Sequence, residues 1–114
     1  YQCDWSSDVC SSDLAYPDRI GYLHLKQVDP DILADTLKND LPFVEAVANG
    51  VMTEPGGLGV PEFAPIIERA AEIDAEMFAI VEQDMYGCSI DFPFPIAKRT
   101  REHIGSCTRA ARFI

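Results

Sequence analysis

The sequence predicts an α/β fold with parallel strands. Two short strand patterns each lead, through a connection, into a helical pattern, and the second strand is an unbroken apolar run of the kind a parallel sheet buries on both faces. The order is strand, long connection, helix, strand, loop, helix, which is two consecutive βα units. Residues 20–28, IGYLHLKQV, are rich in β-branched and aromatic side chains and run from just after Asp18 to the Asp29-Pro30 pair, so they form the first strand. Two short helical patterns follow between Pro30 and Gly50. Ile32, Leu33 and Leu37 carry the first; Phe43, Val44 and Val47 carry the second, which starts after Pro42 and stops at Asn49-Gly50. VMTEPGGLG, residues 51–59, holds a proline and three glycines and must be loop. Pro61 then opens a helix whose apolar positions Phe63, Ile66, Ile67, Ala70 and Ile73 keep the spacing of one helical face. MFAIV, Met77 to Val81, is the second strand. A loop punctuated by Gly87, Pro93 and Pro95 leads to a last helix from Pro95 to Ile104, with Gly105 as its stop.

Composition narrows the function classes. The chain has 114 residues, with 19 Asp plus Glu against 9 Lys plus Arg, a net charge of −10. Such a surface repels nucleic acid phosphates and anionic lipid heads, so neither nucleic acid nor membrane is expected as a partner. Hydrophobic residues make up 47%, too many for an acidic disordered tail. No apolar run approaches the ~20 residues that span a bilayer, and the N-terminus lacks a signal-peptide layout, so a cytoplasmic protein is expected.

The first fourteen residues stand apart. Ser6-Ser7-Asp8 and Ser11-Ser12-Asp13 repeat in a polar stretch without periodicity, and DWSSDVCSSDL, Asp4 to Leu14, resembles the translated reading of a common sequencing-adapter oligonucleotide. Residues 1–14 are therefore expected to be an artefactual leader and residues 15–114 the folding sequence, with the upstream part of the protein missing. Removing Asp4, Asp8 and Asp13 brings the charge to −7. Cys3 and Cys10 go with the leader. Cys88 and Cys107 are scattered and no Cys-x-x-Cys pair exists, so both read as small buried hydrophobes rather than as a zinc or disulfide framework.

In parallel α/β folds, chemistry collects where strands hand over to loops. His24 interrupts the first strand and Glu82 is the first polar residue after the second. Imidazole and carboxylate suit Mn²⁺, Mg²⁺, Co²⁺ or Zn²⁺, and strands about 4.8 Å apart would let the two meet at one ion. From spacing alone, a hydrogen-bonded core histidine and a solvated strand end are the simpler explanation of the two.

The segments HLKQV (His24 to Val28), GGLGVPEF (Gly56 to Phe63) and IVEQD (Ile80 to Asp84), in that order, resemble the last part of the xylose isomerase-like TIM-barrel superfamily of sugar phosphate isomerases and epimerases, and particularly its inosose dehydratase branch. The resemblance runs from Arg19 to about Gly105. It implies that the chain is the C-terminal part, about two βα units, of a (β/α)8 TIM barrel. It implies one divalent metal ion (Mn, Mg or Co, with Zn compatible), held by His24, by Glu82 and by two acidic residues upstream. Glu82 would also be the catalytic base that removes the proton α to a carbonyl, and Lys26, on the face of His24, would bind a substrate oxygen. A surface lysine at the strand exit is the plain alternative for Lys26. Relatives commonly carry Asp where this chain has Gln27, which puts any charged role there in doubt. Asp84 reads as a solvated loop residue or as support for the site.

The resemblance points first to a divalent-metal-dependent sugar (phosphate) isomerase or epimerase acting through an enediolate, its partner a small sugar or cyclitol and its full-length form compatible with a homo-oligomer. An inosose dehydratase, a lyase eliminating water from a keto-inositol, is the alternative, and a non-catalytic interaction module the second alternative. The stretch from His24 to Glu82 is 58 residues, against about 30 for an average barrel unit. The excess lies in residues 29–59, where Phe43, Met52, Gly56, Gly57 and Gly59 would form a substrate pocket or lid, or simply a flexible helix entry.

Overall fold

A computed structural model of the chain describes residues 16–74 and 76–111. The leader expected over residues 1–14, with Cys3 and Cys10, lies outside the described residues. After a 3₁₀ turn at Pro17–Arg19 come β1 (Tyr22–Leu25), α1 (Pro30–Lys38), α2 (Phe43–Ala48), α3 (Phe63–Ile73), β2 (Phe78–Val81) and α4 (Pro93–Ala111). The two strands pair in parallel, with Tyr22, Leu23, His24 and Leu25 opposite Phe78, Ala79, Ile80 and Val81. The last rung is Glu82 N–H donating to Leu25 O at 3.1 Å. The fold is thus mixed α/β with a small parallel sheet, as the strand and helix patterns required.

Leu23 and Leu25 point to one side of the sheet, where Leu25 and Leu23 meet Phe63, Ile66 and Ile67 of α3, Ile104 and Cys107 of α4, and Val81. Phe63 is 1% exposed and Leu25 3%, so this is the main core. A smaller one joins Ala46, Val47 and Val51 to Val28, Ile32, Leu33 and Met52 under α1 and α2. Helix α1 starts where expected because Asp29 caps it: its side chain accepts from the backbone N–H groups of Asp31 and Ile32, and Pro30 supplies a ready-made helical φ.

Four expectations need correction. The first strand was expected to run from Ile20 to Val28 and is only four residues long. Its partner ends at Val81, and beyond it Val28 leaves β2 to bridge Met52 and Val60 instead. The second strand was expected to be buried on both faces, yet Phe78 is 80% exposed and Ile80 53%. Among the described residues it has a strand on one side only, and none of them covers the face that carries Phe78 and Ile80. The last helix begins at Pro93 and runs through Gly105 to Ala111. Ile96, Thr100 and Cys107 are all buried along one stripe of it, and extending that stripe outweighs the roughly 1 kcal/mol that an internal glycine costs. Of the two downstream cysteines, Cys107 is buried as expected, whereas Cys88 is exposed, because it lies in the irregular 82–92 connection.

Candidate functional site

The carboxyl ends of the two strands bring the three expected residues together. His24 lies within β1, Lys26 just beyond it, and Glu82 just beyond β2. Residues 24 and 26 share a face by the alternation of an extended chain, and the parallel register places Glu82 beside both. His24 Nε2 lies 2.6 Å from Glu82 Oε2, and Lys26 Nζ donates to Glu82 Oε1 at 2.8 Å. Lys26 Nζ also donates to Asp84 Oδ2 at 2.7 Å. Asp84 is therefore a member of the cluster and not a solvated loop residue. The reading of His24 as a core histidine is also excluded, since its side chain is 49% exposed.

The charges follow from these contacts. Hydrogen bonds from Lys26 and then His24 hold the Glu82 carboxyl below its ordinary value of 4.5, so it is ionised at neutral pH. Asp84 and then Glu82 raise the Lys26 ammonium above its ordinary value of 10.5. Lys26 is consequently a fixed cation and not a proton acceptor.

An open cavity of about 960 Å³ adjoins the cluster between β2 and α4, with Glu82 in its wall together with Val81, Met85, Ile96 and Ile104. Of residues 51–60, only Pro55 lines it among the described residues, and neither Phe43 nor Met52 does. The connection is pinned on both sides. Gln27, 3% exposed, donates to Gly59 O at 3.1 Å and to Pro61 O at 2.7 Å and accepts from Gly56 N–H at 2.6 Å. From α4, Arg99 clasps Glu54 through two 2.7 Å bonds, and Thr100 Oγ1 donates to Pro55 O at 2.9 Å. Gly56 has φ +88° and packs against the His103 ring so closely that a Cβ would lie 2.6 Å from it. These ties make the segment an ordered brace between β1 and α4 rather than a flexible helix entry.

His24 and Glu82 supply the donor types, imidazole nitrogen and carboxylate oxygen, that divalent ions take, and the carboxylates of Glu82 and Asp84 already converge on one cation, Lys26. The pair fits as part of a ligand set. Among the described residues, no group of three or more His, Cys, Asp or Glu side chains is placed to hold an ion.

Sequence comparison decides what this arrangement is similar to. A protein named inosose dehydratase from Geobacillus kaustophilus is 37% identical over 89 residues, 78% of this chain. The chain resembles inosose dehydratases. A second one, from Histophilus somni, is 34% identical over the same share, and a rhizopine catabolism protein, MocC, from Rhizobium meliloti is 33% identical over 83% of the chain. The chain spans 28% of the length of the Geobacillus inosose dehydratase and 29% of each of the other two. No family model and no solved structure matches it. The sequence resemblance to the dehydratase branch thus has support, since two of these three relatives bear the inosose dehydratase name. Among the described residues, no helix is long and apolar enough to cross a membrane.

Proposed function

We propose that residues 16–111 are the part of an inosose dehydratase-type lyase that carries His24, Lys26 and Glu82, with β1 and β2 as two strands of a TIM barrel. The observation that carries the reading is the similarity to inosose dehydratases over some four fifths of the chain, joined to a His24–Glu82 contact of 2.6 Å at the carboxyl ends of parallel strands. The isomerase or epimerase expected first from the sequence needs the same kind of site and now ranks second, because the inosose dehydratase name recurs among the relatives.

Dehydration next to a ketone breaks the C–H bond α to the carbonyl and then the C–O bond of the neighbouring hydroxyl. Glu82 takes the α proton and then returns it to the neighbouring hydroxyl, which departs as water as its C–O bond breaks. Lys26 donates to the carbonyl oxygen as negative charge develops there, a stabilisation that is strong because the ammonium is already held in position. Both Glu82 oxygens accept hydrogen bonds in this arrangement, so one must be released before the carboxylate takes a proton. His24 and Glu82 would hold a divalent ion, which when bound supplies Lewis-acid stabilisation of the same charge. No third donor is contributed by the described residues.

The test is a chimaera in which this chain replaces the matching segment of the Geobacillus kaustophilus protein. Incubated with inosose, the chimaera should form a product lighter by one water, and His24→Ala or Glu82→Gln should abolish it. A product of unchanged mass would support the isomerase instead. Full turnover by both variants would remove His24 and Glu82 from the chemistry.

A further inference from the structure

We propose that Asp84 is a positioning residue, which keeps the Lys26 ammonium in place when Glu82 turns to a ligand. The inference rests on the reading of Glu82 and Lys26 as site residues and adds a role for a side chain outside it.

An ammonium has three donors. Lys26 spends one on Glu82 Oε1 and one on Asp84 Oδ2, leaving a third for a substrate oxygen. Glu82 is the less dependable of its two partners. It also faces His24, is 42% exposed at its side chain, and must release a hydrogen bond to act as base or ligand. Asp84 is 25% exposed, and among the described residues its side chain pairs with Lys26 alone. It lies two residues beyond Glu82 in the same irregular connection and approaches the ammonium from β2's carboxyl end.

Without Asp84, Lys26 would have one carboxylate to follow and would move with Glu82 or swing into solvent. A lysine side chain has much rotamer freedom to lose. Asp84 removes that freedom before a ligand arrives, which is the preorganisation a charge-stabilising group needs. Glu82 can then let go of Lys26 without carrying it off.

The experiment reads the Lys26 side-chain ammonium directly by ¹⁵N-detected NMR of the chain, since an ammonium held by carboxylates exchanges slowly enough to give a resolved signal. Glu82→Gln mimics release of Glu82. In that variant the Lys26 signal should persist. In the double variant Glu82→Gln with Asp84→Asn it should vanish, and Glu82→Gln with Asp84→Glu should restore it. Loss of the signal in Glu82→Gln alone, or its persistence in the double variant, would overturn the proposal. Substrate plays no part in this readout, so its failure is separable from failure of the dehydratase reading.

In the chimaera, Asp84→Asn should lower kcat about tenfold, the equivalent of one misplaced charged hydrogen bond, with KM changed far less, and Asp84→Glu should recover most of the loss. Unchanged kcat in Asp84→Asn would also overturn it, whether or not the isolated chain gives resolved spectra.

Discussion

Replacing Gln27 with glutamate keeps the shape and removes two donors. The amide nitrogen of Gln27 serves Gly59 O and Pro61 O, and its oxygen serves Gly56 N–H, at a position only 3% exposed. A carboxylate could still accept from Gly56, but would set a negative oxygen against two carbonyl oxygens that no longer have this partner. Losing buried hydrogen bonds in this way costs about 1–3 kcal/mol, so Gln27→Glu should lower the urea unfolding midpoint clearly. An unchanged midpoint would mean that the brace does not contribute to stability. Gly59 belongs to the same contact, because a Cβ there would lie 2.9 Å from Gln27 Cβ and 3.0 Å from Val28 O. Read along the chain alone, Gln27 stands out only as a departure from the Asp of relatives, a lost charge. Its gain, an amide that both donates and accepts, could not be seen until the loop it grips was placed beside it. Asp84 was equally ambiguous, because its partner lies 58 residues away.

At the scale of elements, the parts settled by local chemistry were legible and the parts settled by neighbours were not. Asp29-Pro30 capping α1 and the spaced apolar residues of α3 are local, and both helices stand close to where their patterns place them. The span of β1 depends on where β2 ends, and the span of α4 on a buried stripe that continues past Gly105. Gly105 is therefore an internal helix glycine, and among the described residues a Cβ there would meet only the Arg109 Nη1 atom at 3.3 Å, the far end of a long side chain. Gly105→Ala should raise stability by about 0.5–1 kcal/mol, seen as an increase in Tm; a decrease would show that α4 needs glycine there for a tighter contact. The brace between α4 and residues 51–60 has a pH signature. Arg99 holds Glu54 below its ordinary value of 4.5, so the pair's contribution is complete above that pH and is lost as pH falls through the lowered folded value. Glu54→Gln should be less stable than the original chain at neutral pH, with the gap closing on acidification. A gap that stays constant with pH would show that the ion pair is not its source.

For the molecule as a whole, the decisive feature is a sheet that the described residues cover on one face alone. Leu23 and Leu25 pack on α3 and α4, while Tyr22, His24, Phe78 and Ile80 occupy the other side, where Tyr22 is 60% exposed and Phe78 80%. Parallel sheets are almost always covered on both faces, and an uncovered strand edge offers unpaired N–H and C=O groups to any other chain. The net charge of −10 opposes association over long range, but that repulsion is screened within about 10 Å at 0.1 M salt, whereas burial of aromatic and aliphatic surface is not. The chain on its own should therefore self-associate, and more strongly as salt is raised. Static light scattering over a concentration series would show an average mass that climbs with both. Phe78→Thr with Ile80→Thr keeps β propensity and removes the apolar groups without touching the covered face, so it should return the mass toward that of a monomer while the helical circular dichroism signal is retained. If the original chain stays monomeric at high salt, the bare face is not an attractive surface. If the double variant associates as strongly as the original chain, the contact lies elsewhere, and the Lys26–Glu82–Asp84 end of the sheet, where charge replaces apolar surface, would not be its boundary.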